Sequence, residues 1–388
     1  MNEEFSITPW EVKGKIDYER LVKSFGVKII DDNLKSLIKK VFGEIPKLIA
    51  RNIFYSHRDL DILLNEYLNG KKFYLYTGRG PSGPMHLGHI LPFIFTKYLQ
   101  EKLSTMLIIQ MTPDEKYVYH EDMRPSEVYN YTIDNIRDIL ALGFNSQNTY
   151  IIDDIRNINF LYPLAISVAR KVTFSTARAV FGFTPETNIG LIFYMAIQAA
   201  PAFIGYFISD EYKYCLIPAA IDQDPYWRIT RDIAGKLGFP KPAQIHGKLL
   251  PSLKATGKMS TSEPESAIYL SDDDDVVKTK ILNAFTGGQP TAREQRLYGG
   301  NPEICTVYMY YYYLFEEDDR KLMERYTKCK NGEILCGECK EELSRRIINF
   351  LSQHRRRKEK IDDEYIEKYM IDSKVNLEDQ IKRYLLLR

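Results

Sequence analysis

The sequence has 388 residues, of which 44% are hydrophobic and 27% are charged, and this is the composition of a globular protein with room for two or three domains. Its net charge of +1 excludes a uniformly basic nucleic-acid-binding protein, so any contact with RNA must use a local patch. No apolar run approaches the ~18–20 residues of a membrane span and the N-terminus lacks a secretory signal, so we expect a cytoplasmic protein without membrane contact.

Residues 1–70 precede the first clear strand and predict a short, mostly helical N-terminal segment. Trp10 lies in an extended stretch near its start. Ser56 is predicted to cap a helix that ends near Leu68, because a serine side chain can accept a hydrogen bond from the first turn.

From Phe73 the sequence alternates between short apolar strands and helices, which predicts an α/β fold with a doubly wound, Rossmann-type parallel sheet. Five strands are predicted, at Phe73–Thr77, Thr105–Met111, Thr149–Ile152, Lys213–Pro218 and Ala243–His246. The helices between them are predicted at about His89–Leu103, Pro125–Leu142 and Asp224–Leu237.

Several residues with functional groups fall at the carboxyl ends of these strands, where such sheets bind ligands. They are Tyr76, Gly78, Gln110, Glu115 and Asp222. If they converge on one cavity, buried polar groups of this kind indicate a polar ligand.

After Ser262 the strand signals fade, and an α-helical C-terminal domain is predicted. The stretch 271–275 indicates a helix cap with an acidic first turn, because consecutive aspartates on a helix cannot all face one ion. The tyrosine run 310–313 is predicted to be core. A candidate RNA patch is formed by Arg345-Arg346 with Arg355-Arg356-Arg357-Lys358 and Lys360, with a solvated helix face as the equal alternative. The predicted domains are therefore residues 1–70, 71–265 and 266–388.

Five scattered cysteines, an odd number, indicate a reducing compartment and not a disulfide framework. Cys336 and Cys339 form a CxxC pair with Cys329 upstream, but no second pair follows at zinc-site spacing. We therefore predict reduced thiols and no metal site.

Two separated motifs point to chemistry on a nucleotide triphosphate. His86, Gly88 and His89 lie where the first strand of the sheet turns into a helix, and helix N-termini favour phosphates. Gly78 and Arg79 precede them in a loop, so a guanidinium is available for phosphate contact. Far downstream, Lys258 supplies a mobile charge for a leaving pyrophosphate. The catalytic candidates are therefore His86, His89, Arg79 and Lys258.

These motifs resemble the HIGH and KMSKS signatures of class I aminoacyl-tRNA synthetases. His86-Leu-Gly-His89 matches the first with one apolar exchange, and Lys258-Met-Ser-Thr-Ser262 matches the second with Thr261 in place of its second lysine. Further blocks, Tyr74–Ser82, Ile109–Thr112 and Ala220–Pro225, look like eukaryotic-type tryptophanyl-tRNA synthetase, and this resemblance covers nearly the whole chain.

The resemblance implies an enzyme that activates L-tryptophan with ATP, Mg²⁺ accompanying the ATP, and charges tRNA(Trp) in cytoplasmic translation. It implies that a first set of residues binds ATP: Gly78, Arg79, His86, Gly88, His89, Asp222, Lys258, Met259, Ser260 and Ser262. In the tryptophan pocket, Tyr76 and Gln110 hold the indole N–H, while Glu115, Gln198 and Gln223 hold the ammonium and carboxylate end.

The resemblance also implies features beyond this pocket. The N-terminal segment folds over the ATP site, and residues 266–388 bind the anticodon. The protein is expected to be a homodimer, for which Phe181-Gly182-Phe183 offers an apolar surface.

Three alternatives stay open. Tyrosyl-tRNA synthetases share the fold, but Pro201 stands where that family carries the aspartate that binds the substrate phenol. A nucleotidylyltransferase would share the histidine motif, although such chains are usually shorter and lack the helical C-terminal region. An inactive synthetase paralogue would be expected to have lost a histidine of the motif or Lys258, and none is lost.

Overall fold

The computed structural model describes residues 6–7, 9, 12–13, 16–254, 259 and 263–386, and of residues 6–7, 12–13 and 385–386 it describes only the backbone. The described residues form nine strands, namely β1 (Ser6–Ile7), β2 (Val12–Lys13), β3 (Lys28–Ile29), β4 (Phe54–Arg58), β5 (Lys72–Arg79), β6 (Leu107–Met111), β7 (Thr149–Asp153), β8 (Tyr212–Ala220) and β9 (Ala243–Gly247).

In the described part of the chain, twelve α-helices precede the last strand, β9. They are α1 (Tyr18–Phe25), α2 (Asp32–Phe42), α3 (Lys47–Ala50), α4 (Leu60–Leu68), α5 (Leu87–Leu103), α6 (Pro113–Tyr119), α7 (Pro125–Leu140), α8 (Ile158–Ala169), α9 (Phe174–Phe181), α10 (Ile189–Ala199), α11 (Pro201–Ile208) and α12 (Asp224–Ala234). Eight more follow the last strand: α13 (Asp274–Asn283), α14 (Ala292–Tyr298), α15 (Thr306–Tyr310), α16 (Asp319–Lys330), α17 (Cys336–Lys358), α18 (Asp363–Glu367), α19 (Ile371–Lys374) and α20 (Glu378–Leu386).

The main sheet has seven strands in the order β3-β4-β9-β8-β5-β6-β7. The five strands from β9 to β7 are parallel, and they are the five that the sequence predicts. The chain runs from β5 outward to β6 and β7, and then returns to the other side of β5 with β8 and β9. The order therefore reverses between β5 and β8, and at such a switch point the carboxyl ends of the strands open a crevice.

The prediction of a helix cap at Ser56 is wrong. Ser56 lies in β4, where its hydroxyl contacts Nδ1 of the buried His246 side chain at 3.1 Å. The helix begins only at Leu60, after Asp59 with φ 53°. β4 pairs antiparallel with β9, and the short β3 pairs antiparallel with β4 at the edge of the sheet. β4 is buried although its sequence lacks an apolar pattern.

Both faces of the sheet are covered, which explains the continuous apolar strands. Along β5, Phe73 and Leu75 pack into one core cluster, whereas Tyr74 and Tyr76 pack into a second cluster on the opposite face. This is the alternation of a strand buried on both sides.

The expectation that no apolar run approaches a membrane span is also wrong. In the described part of the chain, the helical stretch Ile189–Ile208 is long and apolar enough to cross a membrane by length and composition. However, 72% of its most apolar window is buried inside the protein, and its side chains belong to the second core cluster. We therefore interpret it as a core element, with Pro201 opening its second half as α11.

The C-terminal region is helical, as predicted. Tyr310 and Tyr311 are fully buried, which confirms the tyrosine run as core. The acidic stretch does start a helix, α13, but Asp273 is its cap through hydrogen bonds from the backbone of Asp275 and Val276.

Candidate active site

A cavity of about 920 Å³ opens at the switch point between β5 and β8. It brings together ten of the fifteen residues predicted for the site, which are Gly78, Arg79, His86, Gly88, His89, Glu115, Gln198, Asp222, Gln223 and Met259. Tyr76 and Gln110 lie behind its wall. Lys258, Ser260 and Ser262 lie outside the described residues.

The two histidines of the motif stack on each other at the start of α5. Their ring centroids are 3.4 Å apart with an interplanar angle of 21°. The backbone N–H of His86, the N-cap of the helix, donates to Nδ1 of His89 at 3.2 Å. Since Nδ1 of His89 accepts, a neutral His89 carries its proton on Nε2, where it can act as a donor.

Gly88 is the residue that lets this arrangement form. A Cβ atom at Gly88 would lie 3.1 Å from Cε1 and Nδ1 of His86 and 3.3 Å from Sδ of Met259. Met259, the described residue within the downstream motif, is buried there. The two motifs, distant in the sequence, thus meet at one glycine.

Arg79 is the last residue of β5, and Asn135 holds its side chain. Its Nε donates to the Asn135 side chain at 3.1 Å, and that side chain donates in turn to the carbonyl of Gly83 at 3.0 Å. Burial lowers the pKa of the Arg79 guanidinium to about 10, and nearby Glu115 opposes the shift. The group therefore stays cationic at neutral pH. Its Nη2 is buried with no hydrogen-bond partner among the described residues, so it is a donor available to an anion.

Tyr76, Gln110 and Gln198 form one buried hydrogen-bond network. The Tyr76 hydroxyl donates to Oε1 of Gln110 and contacts the backbone carbonyl of Gln198 at 3.2 Å. The Gln198 side chain, which lines the cavity, donates back to that hydroxyl at 3.2 Å and accepts from Tyr194. The predicted indole-binding pair is therefore linked to the cavity through Gln198.

A buried pair of carboxyl groups supports this network, and the sequence analysis missed it. Nε2 of Gln110 donates to both oxygens of Asp154, at 2.9 and 2.8 Å. Burial raises the pKa of Asp154 well above its ordinary value, and the charge of Asp114 raises it further. Burial likewise raises the pKa of Asp114 to about 6. A signal existed in the position of Asp154 directly after β7, at a strand end.

Glu115 is buried at the start of α6, at the cavity wall. The Thr112 hydroxyl donates to it at 3.1 Å, and the Lys116 ammonium lies 2.9 Å from the same oxygen. Lys116 was not predicted, although it also lines the cavity. A carboxylate at this place is suited to an ammonium group of a ligand.

The turn after β8 carries Asp222 and Gln223. Asp222 is buried, and Gln223 donates to the carbonyl of Pro9 at 3.2 Å. Pro9, a residue of the N-terminal segment, also lines the cavity. Trp10 lies outside the described residues.

Two further features of the wall were missed. Trp227 packs edge-on to Tyr76 with centroids 5.2 Å apart, and its indole N–H is buried without a partner in the described structure. Lys254 and Glu263, which flank the downstream motif, form an ion pair at 2.8 Å. Neither belongs to a recognisable motif, so only the fold brings them to the site.

Comparison with known proteins agrees with this geometry. A model of the family described as tRNA synthetases class I (W and Y) matches residues 68–352. The chain is 49% identical to the tryptophan–tRNA ligase of Saccharolobus solfataricus over 97% of each chain, and 50% identical to that of Pyrococcus furiosus over 97% of this chain and 96% of the other. Among solved structures, it resembles the tryptophanyl-tRNA synthetase from Giardia lamblia with a TM-score of 0.86 and 36% identity, over 91% of this chain and 96% of that one.

Proposed function

This chain belongs to the class I tryptophan–tRNA ligases, and we propose from that premise how its cavity serves the reaction. The chain is an aminoacyl-tRNA synthetase, which activates L-tryptophan with ATP to tryptophanyl-AMP and transfers the tryptophanyl group to tRNA(Trp). One observation carries the assignment of the site: phosphate-binding and ammonium-binding side chains converge in a single cavity at the switch point of the sheet.

In the activation step, the tryptophan carboxylate attacks the α-phosphorus of ATP in line and pyrophosphate leaves. Negative charge grows on the phosphate oxygens, so the enzyme acts mainly by positioning and electrostatic stabilisation. His86 and His89 supply donors at the N-terminus of α5, and the free Nη2 of Arg79 supplies a cationic donor. The reaction requires no protein nucleophile.

We assign Lys258, Ser260 and Ser262 to the triphosphate, with Met259 fixing their loop against Gly88. ATP enters as its magnesium complex. No described group of three or more His, Cys, Asp or Glu side chains is arranged to hold a metal ion, which supports Mg²⁺ riding on the phosphates as part of the substrate.

The tryptophan half of the cavity lies beside the Tyr76 network. We assign the indole N–H to the acceptors of Tyr76 and Gln110, since a carbonyl oxygen that already accepts one hydrogen bond can accept a second. Glu115, Gln198 and Gln223 receive the ammonium and carboxylate end. Asp222 accepts from the ATP ribose, a role that its burial at the end of β8 supports.

We assign tRNA binding to the helical region 266–388 and ATP covering to residues 1–70. The contact of Gln223 with Pro9 supports the second assignment. The archaeal relatives and the protozoan structure support a place in the eukaryotic-type branch. Five free cysteines support function in the reducing cytoplasm.

We also propose a homodimer, but through a different surface from the one expected. Phe181 and Phe183 are only 5% exposed and stack on each other, so they offer no surface. The outer face of α8 instead carries Ile158, Tyr162 and Ile166, which are 42%, 52% and 43% exposed. These residues recur every fourth position and form one apolar stripe, which we call the α8 stripe.

Pyrophosphate exchange with tryptophan, with tyrosine and without amino acid tests the assignment. Tryptophan should drive exchange, and tyrosine should be nearly inert, because Pro201 cannot pair a phenol and the indole acceptors would stay empty. Sites of this kind discriminate by up to ~10⁴–10⁵-fold in kcat/KM. Activation of tyrosine within about tenfold of that of tryptophan, a difference of ~1.4 kcal/mol, would refute the assignment of tryptophan as the substrate.

A further inference from the structure

A buried ion pair lies at the end of the turn that carries Asp222 and Gln223. Asp224 follows that turn as the first residue of α12, and its side chain is fully buried. Arg58, the last residue of β4, donates to both of its carboxylate oxygens, from Nε at 2.7 Å and from Nη2 at 2.9 Å. A two-point contact of this kind fixes the orientation of the two groups as well as their distance.

The ion pair keeps Asp224 charged inside the protein. Burial alone would raise the pKa of this carboxyl, but hydrogen bonds from Arg58 and His246 bring it below its ordinary value. The contact with His246 is made by Nε2, which lies 3.4 Å from Oδ1 of Asp224. Neither Arg58 nor Asp224 is among the described residues that line the active-site cavity, so the pair acts on the site only through its neighbours.

The same guanidinium binds the end of helix α1. Nη2 of Arg58 donates to the carbonyl of Phe25 at 2.5 Å, and Nη1 donates to that of Gly26 at 3.3 Å. Phe25 is the last residue of α1 and Gly26 is its C-cap, where carbonyl groups lack partners within the helix and favour a cation. One side chain thus joins the C-terminal end of α1 to the first residue of α12.

Helix α1 also packs on the turn itself. Leu21 on α1 and Val27 just after it form a small core cluster with Ile221, the first residue of the turn. At the start of α1, the Tyr18 hydroxyl accepts from the backbone N–H of Leu249 at 3.0 Å, and Leu249 lines the cavity. Helix α1 is therefore tied to residues at or next to the cavity wall at its start, its middle and its end.

We propose that Arg58 is a positioning residue, which couples the docking of α1 to the geometry of the turn Ile221–Gln223. The proposal rests on the roles proposed above for Asp222 and Gln223, which bind the ATP ribose and the amino-acid substrate. With α1 docked, Arg58 has acceptors on both sides and holds Asp224 at the end of the turn. With α1 displaced, the guanidinium loses its two carbonyl acceptors, and the turn is less restrained.

This role has a kinetic consequence that a purely structural role lacks. A turn that is ordered before the substrates bind does not have to be ordered at their expense. Asp222 and Gln223 are assigned to contacts made in the ground state as well as in the transition state, so disorder in the turn should appear mainly as a higher KM. Because the two residues serve different substrates, the KM for ATP and the KM for tryptophan should rise together.

Tryptophan-dependent pyrophosphate exchange by Arg58→Ala tests the proposal. Both KM values should rise by about 10- to 100-fold, as expected when a change outside the site misplaces binding groups. Unchanged KM values in the folded variant would overturn the proposal.

Arg231→Ala is the matched control. Arg231 lies on α12, pairs with Asp59 directly after β4, and has a side chain that is 13% exposed, against 16% for Arg58. Its described hydrogen bonds go to Asp59 and to the carbonyl of Pro242, and not to α1. This variant should lower the melting temperature and leave both KM values unchanged. Equal KM increases in Arg231→Ala and Arg58→Ala would overturn the proposal.

Leu21→Ala tests the link to α1, because it removes packing between this helix and the turn. Alone it should raise both KM values. Combined with Arg58→Ala, it should raise them no further than Arg58→Ala does, since both changes release the same helix. Effects that multiply would show that Arg58 and α1 act independently, and they would overturn the coupling.

Circular dichroism shows whether the variants are folded. If Arg58→Ala does not fold, Arg58→Lys takes its place, because an ammonium keeps the charge but cannot hold both oxygens of Asp224 and two carbonyls at once. Its two KM values should still rise, and wild-type values in Arg58→Lys would overturn the proposal. A wild-type chain without tryptophan-dependent exchange would refute the proposed function and this inference with it. Normal exchange by the wild type, with unchanged KM values in the Arg58 variants, would refute this inference alone.

Discussion

His86 and His89, which we assign to the phosphates, show how backbone geometry orients side chains. The N–H at the helix cap is satisfied by Nδ1 of His89, which leaves the other ring nitrogen as a donor. Gly88 leaves room for the His86 ring and for the Met259 side chain of the downstream motif, both of which a Cβ atom there would meet. The histidines are thus oriented before ATP binds, which is the condition for electrostatic catalysis.

Lys258 is the charge expected to follow the leaving pyrophosphate. Lys258→Ala should lower tryptophan-dependent pyrophosphate exchange by about 10²–10³-fold and leave the fold intact, as for the removal of one transition-state interaction. Lys254→Ala is the control, because Lys254 borders the same cavity but pairs with Glu263. An unchanged exchange rate in Lys258→Ala would remove this residue from the mechanism.

Asp154 is expected to position Gln110. Its two oxygens accept from the Gln110 amide, which keeps Oε1 turned toward Tyr76. Asp154→Asn keeps one accepting oxygen and replaces the other with an NH₂ group, which cannot accept from Gln110. We therefore expect kcat/KM for tryptophan to fall by the equivalent of about 1–3 kcal/mol with the KM for ATP unchanged.

Asp153→Asn is the matched control for that variant. Asp153 ends the same strand but accepts from the backbone of Ile155 and Arg156 instead of from Gln110. Equal losses in both variants would mean that the strand end, and not the contact with Gln110, is responsible.

The raised pKa of Asp114 predicts that the stability of the protein depends on pH. Its pKa is raised to about 6 in the folded protein, so the folded chain holds this proton more tightly than the unfolded chain. The contribution is therefore fully present below about pH 4 and is lost as pH rises through about 6. In Asp114→Asn, the free energy of unfolding measured with urea should depend less on pH across this window. A variant as pH-dependent as the wild type would show that Asp114 does not titrate in this range.

The sequence predicted some residues at the site and missed others, for a physical reason. Residues that act through a motif, such as His86, Gly88 and Arg79, are recognisable because their order and spacing carry the chemistry. Asp114 and Asp154 were missed because an acidic residue is expected to be solvent-exposed until the fold buries it.

The strands of the parallel sheet were predictable because burial on both faces imposes an apolar run. β4 was not, since its sequence, Phe-Tyr-Ser-His-Arg, contains polar side chains that are satisfied only by residues distant in sequence. Ser56 contacts His246, and Arg58 binds the buried Asp224 with N–O distances of 2.7 and 2.9 Å. The hydrophobic pattern of neighbouring residues does not predict contacts between residues so far apart in the sequence.

Helix α17 carries the basic run, in which one arginine makes internal contacts and two are exposed. Arg355 donates to the Asp272 carbonyl and pairs with Asp274, so it holds α17 to α13. Arg356 and Arg357 are exposed. Changing these two to glutamine should reduce the slope of log K for tRNA against log salt by up to ~0.7 for each phosphate that the variant no longer neutralises.

Arg355→Gln serves as the comparison for that pair. It should lower the melting temperature of the protein and leave the salt slope in place, because its contacts are internal. If the double variant changes neither affinity nor slope, the exposed arginines are only a solvated face of the helix.

The whole molecule is organised around the point where the strand order reverses. Two core clusters lie on opposite faces of the sheet, and the ligand cavity opens where neither cluster closes the strand ends. The C-terminal helices complete the first cluster and pair with the sheet edge through Ile151 and Met370. The sheet and the C-terminal helices therefore share one core cluster.

The oligomeric state is a property of the whole molecule, and our prediction for it rests on the α8 stripe. The opposite face of α8 is buried in the second cluster, so the helix is apolar on both sides. We propose that this stripe is the dimer interface, because an exposed apolar stripe is costly in water. Light scattering should give about twice 45.3 kDa for the wild type. Tyr162→Asp should shift the protein to a monomer, whereas Tyr129→Asp, at a tyrosine on α7 that is 65% exposed, should not. A monomeric wild type would refute the dimer, and a dimer insensitive to Tyr162→Asp would move its interface elsewhere.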